Sequence, residues 1–274
     1  MGTSDSSLYL TSKKAPSSTT EHTRHYFRGM PDISYGLVPK ISRAVYGPNL
    51  TRIHGARSTN ELQQLLIYRL IRYAEQYRPD ASYMPKSDDF LSWLCLAQHH
   101  NLPTYLLDWS LNSLVGLFFA CYNTQEQEET KDGIIWVMKL KHKNDRIGGI
   151  IHMERAPVGH TDRHEAKRAN KESNLTELIS GECHVNIPVI IVPRILTRRI
   201  EAQAARFIFN STEKPVDDFT GQAECAWSDL VPRFTVPFDK KLDILRELID
   251  FRIHEGSMYA DLDGYAKYLA HGGL

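Results

Sequence analysis

The chain has 274 residues, 42% hydrophobic and 24% charged, and its 33 Lys plus Arg are balanced by 33 Asp plus Glu. It is long and apolar enough to bury a sizeable core, and its zero net charge excludes a global field drawing it onto nucleic acid or membrane. No apolar run approaches the roughly 18 residues of a membrane span, the N-terminus lacks the apolar stretch of an export signal, and Cys95, Cys121, Cys183 and Cys225 are too scattered for a paired metal-ligand pattern, so the expectation is a reduced, metal-free, cytoplasmic protein.

In chain order, residues 1–20 are rich in Ser, Thr and Lys with little to bury, which reads as a mobile tail. In His25-Tyr26-Phe27-Arg28-Gly29-Met30-Pro31 two aromatic residues suit a strand and Pro31 stops further pairing, so Arg28 is expected at a strand end. Gly47-Pro48-Asn49 marks a covering loop with a short helical turn. Ser58-Thr59-Asn60-Glu61 has the spacing of a capping box, and Leu62, Leu65, Leu66, Leu70, Tyr73 and Tyr77 recur at helical spacing until Pro79. A second helix is predicted over 88–100, and a third, nearly all apolar and therefore buried on most sides, over 114–122. Strands are expected at 133–140, 149–153, 187–193 and the end of 199–209, and helices at 175–179, 239–253 and 260–269. No linker or repeat follows the tail, so residues 21–274 read as one α+β domain, a central mixed β-sheet covered by helices.

Between the second and third helices lies a short polar hinge carrying Gln98, His99, His100, Thr104, Asp108 and Ser110. Polar groups set between apolar segments either satisfy one another or face a cleft, because burying one unpaired costs roughly 1–3 kcal/mol. Each has a structural use: Arg28 and Asp108 as an ion pair, the two histidines bonded to the last carbonyls of their helix, Ser110 as a cap, Trp109 in the core. There is no G-x-S-x-G elbow and no Walker or Rossmann glycine loop.

Four stretches in fixed order carry a resemblance. They are Tyr26-Phe27-Arg28-Gly29; Ala97-Gln98-His99-His100-Asn101-Leu102-Pro103-Thr104 with Leu106-Leu107-Asp108-Trp109-Ser110 and the apolar helix ending Phe118-Phe119-Ala120; Ile200-Glu201-Ala202-Gln203; and Tyr259-Ala260-Asp261-Leu262-Asp263-Gly264. Together they resemble the FRG-domain family, named for its (F/Y)RG motif. Tyr105 stands where that family is expected to carry Arg, and Ala205 where a Gly is usual. A further resemblance runs to the Arg-Ser-Glu arrangement of NAD-dependent ADP-ribosyltransferases, which implies a split sheet, NAD+ as co-substrate and no metal. On that mapping Arg28 takes the Arg position, Ser110 the Ser position and Glu201-Ala202-Gln203 the acidic one, with Gln203 where a carboxylate is expected.

Cleavage of NAD+ passes through an oxocarbenium-like state that positioning and electrostatics stabilise. For that chemistry Arg28 bonds the diphosphate, Gly29 lets the backbone approach the nicotinamide, and Ser110 orients Glu201 or the nicotinamide ribose. Glu201 or Gln203 holds the ribose 2′-hydroxyl, Tyr26, Tyr105 and Trp109 offer aromatic faces, and Gln98, His99 and Asp108 complete the pocket. The function implied is ADP-ribosyl transfer to a macromolecule, RNA, DNA or protein, of the bacterial toxin or anti-phage type, with a neutralising antitoxin protein beside it and no membrane partner. Lys141-His142-Lys143, Arg163-His164, Lys167-Arg168 and Arg194, Arg198 and Arg199 lean toward a polyanionic acceptor, and they are equally what a solvated face looks like. The alternatives are a non-catalytic nucleotide- or protein-binding module, and an NAD+ glycohydrolase or nuclease using the same cleft.

Overall fold

Side chains alternate across a strand, so the two faces of β1 (His25–Met30) decide how the molecule is layered. Phe27 and Gly29 point to one face, and Tyr26, Arg28 and Met30 to the other. The structure, a computed structural model, describes residues 24–44, 46–77, 84–87, 89–122, 131–140, 150–152, 188–212, 214–222 and 227–270. The predicted tail, the helix at 175–179, Cys183, Cys225 and the basic clusters at 141–143 and 163–168 lie outside those residues.

β1 joins β2 (Leu106–Ser110), β3 (Gly133–Leu140), β4 (Ile150–His152), β5 (Val189–Val192), β6 (Ala205–Phe209) and β7 (Trp227–Val236) in one seven-stranded sheet, ordered β4-β5-β6-β2-β1-β3-β7. Neighbours run antiparallel except β4 and β5, which are parallel, so the expected α+β architecture with a central mixed sheet is found. β7 was not anticipated. Pro232 breaks its pattern, and the strand tolerates that proline because it lies at the sheet edge, where β3 shifts register between Ile135 and Trp136.

One sheet face is covered by helices. α1 (Gly47–His54), α2 (Thr59–Tyr77) and α3 (Phe90–His99) bury Leu62, Ile67, Leu94 and Leu96 with Leu106, Ile191, Phe207 and Phe209. α4 (Ser113–Cys121) lies on β1 so closely that a Cβ on Gly29 would stand 1.8 Å from the Gly116 carbonyl. α4 also meets α6 (Lys241–Asp250) and α7 (Glu255–Tyr259) in an apolar cluster of Val115, Phe118, Leu248, Ile253 and Met258. The opposite face gathers Tyr26, Met30, Leu107, Trp109, Ile134, Met138, Ile208 and Trp227 under a short turn, Val216–Phe219. α5 (Arg198–Ala202) leads into β6, and α8 (Leu262–Ala270) follows α7.

Local signals explain the helix starts. The Ser58 hydroxyl accepts from the Glu61 N–H at 3.1 Å, while the Glu61 carboxylate reaches back to the Arg57 N–H at 2.6 Å, a capping box displaced by one residue. Asn112 caps α4 by accepting from the Leu114 N–H at 2.9 Å, which leaves Ser110 free for another task. Among the described residues no helix is long and apolar enough to cross a membrane.

Candidate functional site

The sheet opens at one place. β1 and β3 share six register pairs, His25 through Met30, whereas β1 and β2 share a single pair, Phe27 with Ser110. Where the ladder would continue to Gly29 opposite Asp108 the pairing stops, and the Asp108 carbonyl accepts instead from Arg28 Nη1 at 2.5 Å. Arg28 is therefore not at a strand end, as its sequence context implies, but inside β1 at the point where β1 leaves β2.

The Asp108 carboxylate is 3.9 Å from the same Nη1, and its side chain is 53% exposed while that of Arg28 is 13% exposed. The pair thus has a covered cation and an open anion. Gln98, in the last turn of α3, donates to Asp108 Oδ2 at 2.8 Å and accepts from the Thr104 hydroxyl at 2.6 Å; that hydroxyl in turn accepts from the Leu106 N–H. This chain of bonds fixes the carboxylate's orientation without covering it. Burial, helped by the nearby Arg43, pulls the Arg28 guanidinium down to about 10 against the opposing field of Asp108, so it stays charged at neutral pH.

Other segments of the four-part motif converge here. Arg199 on α5 donates to the His99 carbonyl at 3.2 Å and stands 4.6 Å over the Tyr259 ring, and Tyr259 feels the charge of Asp108. Ser110 and Gln203 also meet, but on each other: the Ser110 hydroxyl donates to the Gln203 carbonyl at 2.7 Å and accepts from the Asn112 N–H at 2.9 Å. The Gln203 amide donates to the Met258 carbonyl at 3.0 Å. With 4% and 9% exposure these two residues tie β2, β6 and α7 together, and both side chains are engaged inside the fold. Ser110→Ala is therefore expected to lower stability by about 1–3 kcal/mol, read by urea denaturation, because both partners lose a buried bond. Glu201, two residues before Gln203, is exposed.

Packing places the remaining expected site residues as follows. Gly29 approaches the α4 backbone rather than leaving room for a ligand. The Tyr105 ring is buried edge-on to Phe209 with its hydroxyl 2.6 Å from Thr59 Oγ1, and so is no stacking plate. Tyr26 and Trp109 are buried in the apolar layer on the far face, where the Tyr26 hydroxyl meets Arg206. Arg43, Arg199 and Tyr259 were missed as site residues. Arg199 immediately precedes the Ile200–Gln203 motif segment and Tyr259 opens the last one, but nothing local marks Arg43.

His99 lines the same region, with Nδ1 3.4 Å from the Thr197 hydroxyl. Burial, reinforced by Arg199 and His100 and opposed by Asp261, holds its ring at about 4 instead of 6.5. The ring is neutral at pH 7, and between those two values the unfolded chain binds more protons than the folded one. Stability is accordingly present above pH 6.5 and lost as pH falls toward 4. Urea midpoints at pH 7 and pH 5 should show the loss, and His99→Asn should remove part of it.

Among the described residues no three His, Cys, Asp or Glu side chains are grouped to hold a metal. Residues 23–129 match the family model described as the FRG domain, a span that takes in β1 through α4 and both sides of the strand gap. No curated protein and no solved structure matches the chain.

Proposed function

We propose, taking the match of residues 23–129 to the FRG-domain model as support, that the chain is an ADP-ribosyltransferase that moves ADP-ribose from NAD+ to a macromolecular acceptor. The observation that carries this reading is the Arg28–Asp108 pair at the gap between β1 and β2, a covered guanidinium beside an open carboxylate.

A guanidinium matches the paired oxygens of a diphosphate, and Arg28, with Arg43 close by, supplies positive charge that Asp108 only half offsets. The glycosidic bond breaks with its electron pair leaving on the nicotinamide nitrogen, which turns neutral. Positive charge then develops at the ribose C1′ and O4′, and Asp108, held by Gln98, offsets it. The acceptor nucleophile bonds to C1′ and releases its proton. Arg199 and Tyr259 form a flat cationic wall against which an aromatic base stacks. The acceptor is nucleic acid or protein, and a chain that proves toxic needs a neutralising protein beside it. The cytoplasm is the proposed location, with Cys95 and Cys121 buried as small core side chains.

Incubating the purified chain with adenylate-labelled NAD+ and cell extract tests the reading. Label on a macromolecule is the expected result; free ADP-ribose alone makes the chain a glycohydrolase. One observation favours a second reading, binding without turnover: Ser110 and Gln203 are both engaged inside the fold. NAD+ retained without either product supports that reading and removes the transferase.

A further inference from the structure

The sheet face away from α4 carries a row of polar side chains inside an apolar layer. Strand register places Arg206 on β6 opposite Trp109 on β2, and Arg28 on β1 opposite Trp136 on β3. Past the single pair Phe27–Ser110, Arg28 and Trp109 are the next positions on the two sides of the strand gap. Arg206, Trp109, Arg28 and Trp136 thus follow one another in order across four neighbouring strands, β6, β2, β1 and β3.

Each of the four has a buried N–H with no partner: Arg206 Nε, Trp109 Nε1, Arg28 Nε and Trp136 Nε1. All four groups can only donate, and buried donors are nearly always paired. Leaving one unpaired costs roughly 1–3 kcal/mol, so four in a row are a standing deficit of acceptors. The buried acceptors Asp217 Oδ1 and Thr220 Oγ1, in and beside the Val216–Phe219 turn that covers this layer, take none of these hydrogens. Arg206 donates to the Ala205 carbonyl at 2.7 Å and meets the Tyr26 hydroxyl, neither of which carries a full negative charge to match it. The Arg28 side chain is 13% exposed and Arg206 keeps part of its surface open, so the row is approached from its β6 end.

We propose that Arg206, Trp109, Arg28 and Trp136 form an anion-binding row that takes a phosphate or diphosphate group on the sheet face opposite α4. An oxyanion supplies several acceptor lone pairs and the negative charge that the guanidiniums on β6 and β1 lack. The site goes beyond the transferase reading, since it lies across the sheet from the open Asp108 carboxylate and needs no bond to break. Arg28 is common to both: Nη1 faces Asp108, and Nε belongs to the row.

The test is calorimetric titration of the full chain with inorganic pyrophosphate at fixed ionic strength, using sulfate as a second probe. Saturable one-to-one binding of pyrophosphate is expected. Arg206→Gln should weaken it at least about 10-fold, the effect of losing one charge-assisted pair. Trp136→Phe, which keeps a ring and deletes the N–H, should weaken it about 5-fold while the melting temperature of the unliganded protein holds or rises, because an unpaired donor has been removed. Pyrophosphate binding by a chain inactive on NAD+ keeps this proposal and removes the transferase. Absence of saturable binding by the folded wild type, undiminished binding by Arg206→Gln, or transfer of label by a chain that does not bind pyrophosphate overturns it. A marked fall in the melting temperature of unliganded Trp136→Phe does the same, since the indole would then be structurally paired.

Discussion

Replacing Gly29 by alanine is expected to leave no cooperatively folded protein. The added Cβ would lie 1.8 Å from the Gly116 carbonyl oxygen and 2.5 Å from the Ala120 nitrogen, both backbone atoms of α4. Flexible side chains give way to an extra methyl; a helix backbone locked by its own hydrogen bonds does not. Relief requires α4 to move off β1, and with it Val115 and Phe118, which pack with Leu248, Ile253 and Met258. Overpacking usually costs 1–3 kcal/mol, and a clash with backbone on both sides exceeds that range, to about 4 kcal/mol or more, a large part of a domain's total stability. Gly36 is the control, because a Cβ there meets only Val38 Cγ2 at 3.8 Å. Far-UV circular dichroism through a urea titration should show a sharp transition for Gly36→Ala and none for Gly29→Ala. A native-like transition in Gly29→Ala would mean that α4 does not sit where it is described.

The second large effect belongs to Asp108→Asn. The substitution keeps shape and leaves an oxygen to accept from Gln98, so the Arg28 bond to the backbone carbonyl and the fold itself should survive. What it removes is negative charge at an open position, where the proposed reaction sets the ribose. Charge stabilisation of this kind is typically worth 10²–10³ in turnover, so label transfer should fall at least about 100-fold while NAD+ affinity changes only a few-fold. Glu201→Gln, at the other exposed carboxylate, is the comparison. If Glu201→Gln loses transfer and Asp108→Asn keeps it, the carboxylate role passes to Glu201.

How much was legible depends on whether the deciding contact was local. The Ser58–Glu61 cap, the apolar period of α2 and the all-apolar α4 are written within one turn of helix each, and they appear close to where the sequence puts them. β7 is different, since Pro232 breaks its pattern and only an edge position lets the strand accept it. Arg28 could be seen as important, yet the loss of pairing on one side of β1 with full pairing on the other belongs to two strands at once and leaves no mark in either. Tyr26, Tyr105 and Trp109 illustrate the ambiguity of aromatic residues near a motif, because the same ring suits a core and a cleft. Strand alternation sends Tyr26 and Trp109 to the far face, and a buried hydrogen bond to Thr59 holds Tyr105 inside. Ser110 and Gln203 meet each other, and which atoms they offer is a matter of backbone geometry that side-chain identity does not encode.

The account turns on the guanidinium set in the opened ladder. Its most direct test is the affinity of the folded Arg28→Ala protein for NAD+, measured by calorimetry beside the wild type. The prediction is saturable binding by the wild type and a loss of at least about 10-fold in the variant, as expected when a charge-assisted diphosphate contact goes. Equal affinity in the two proteins, with the variant shown to be folded, would contradict it.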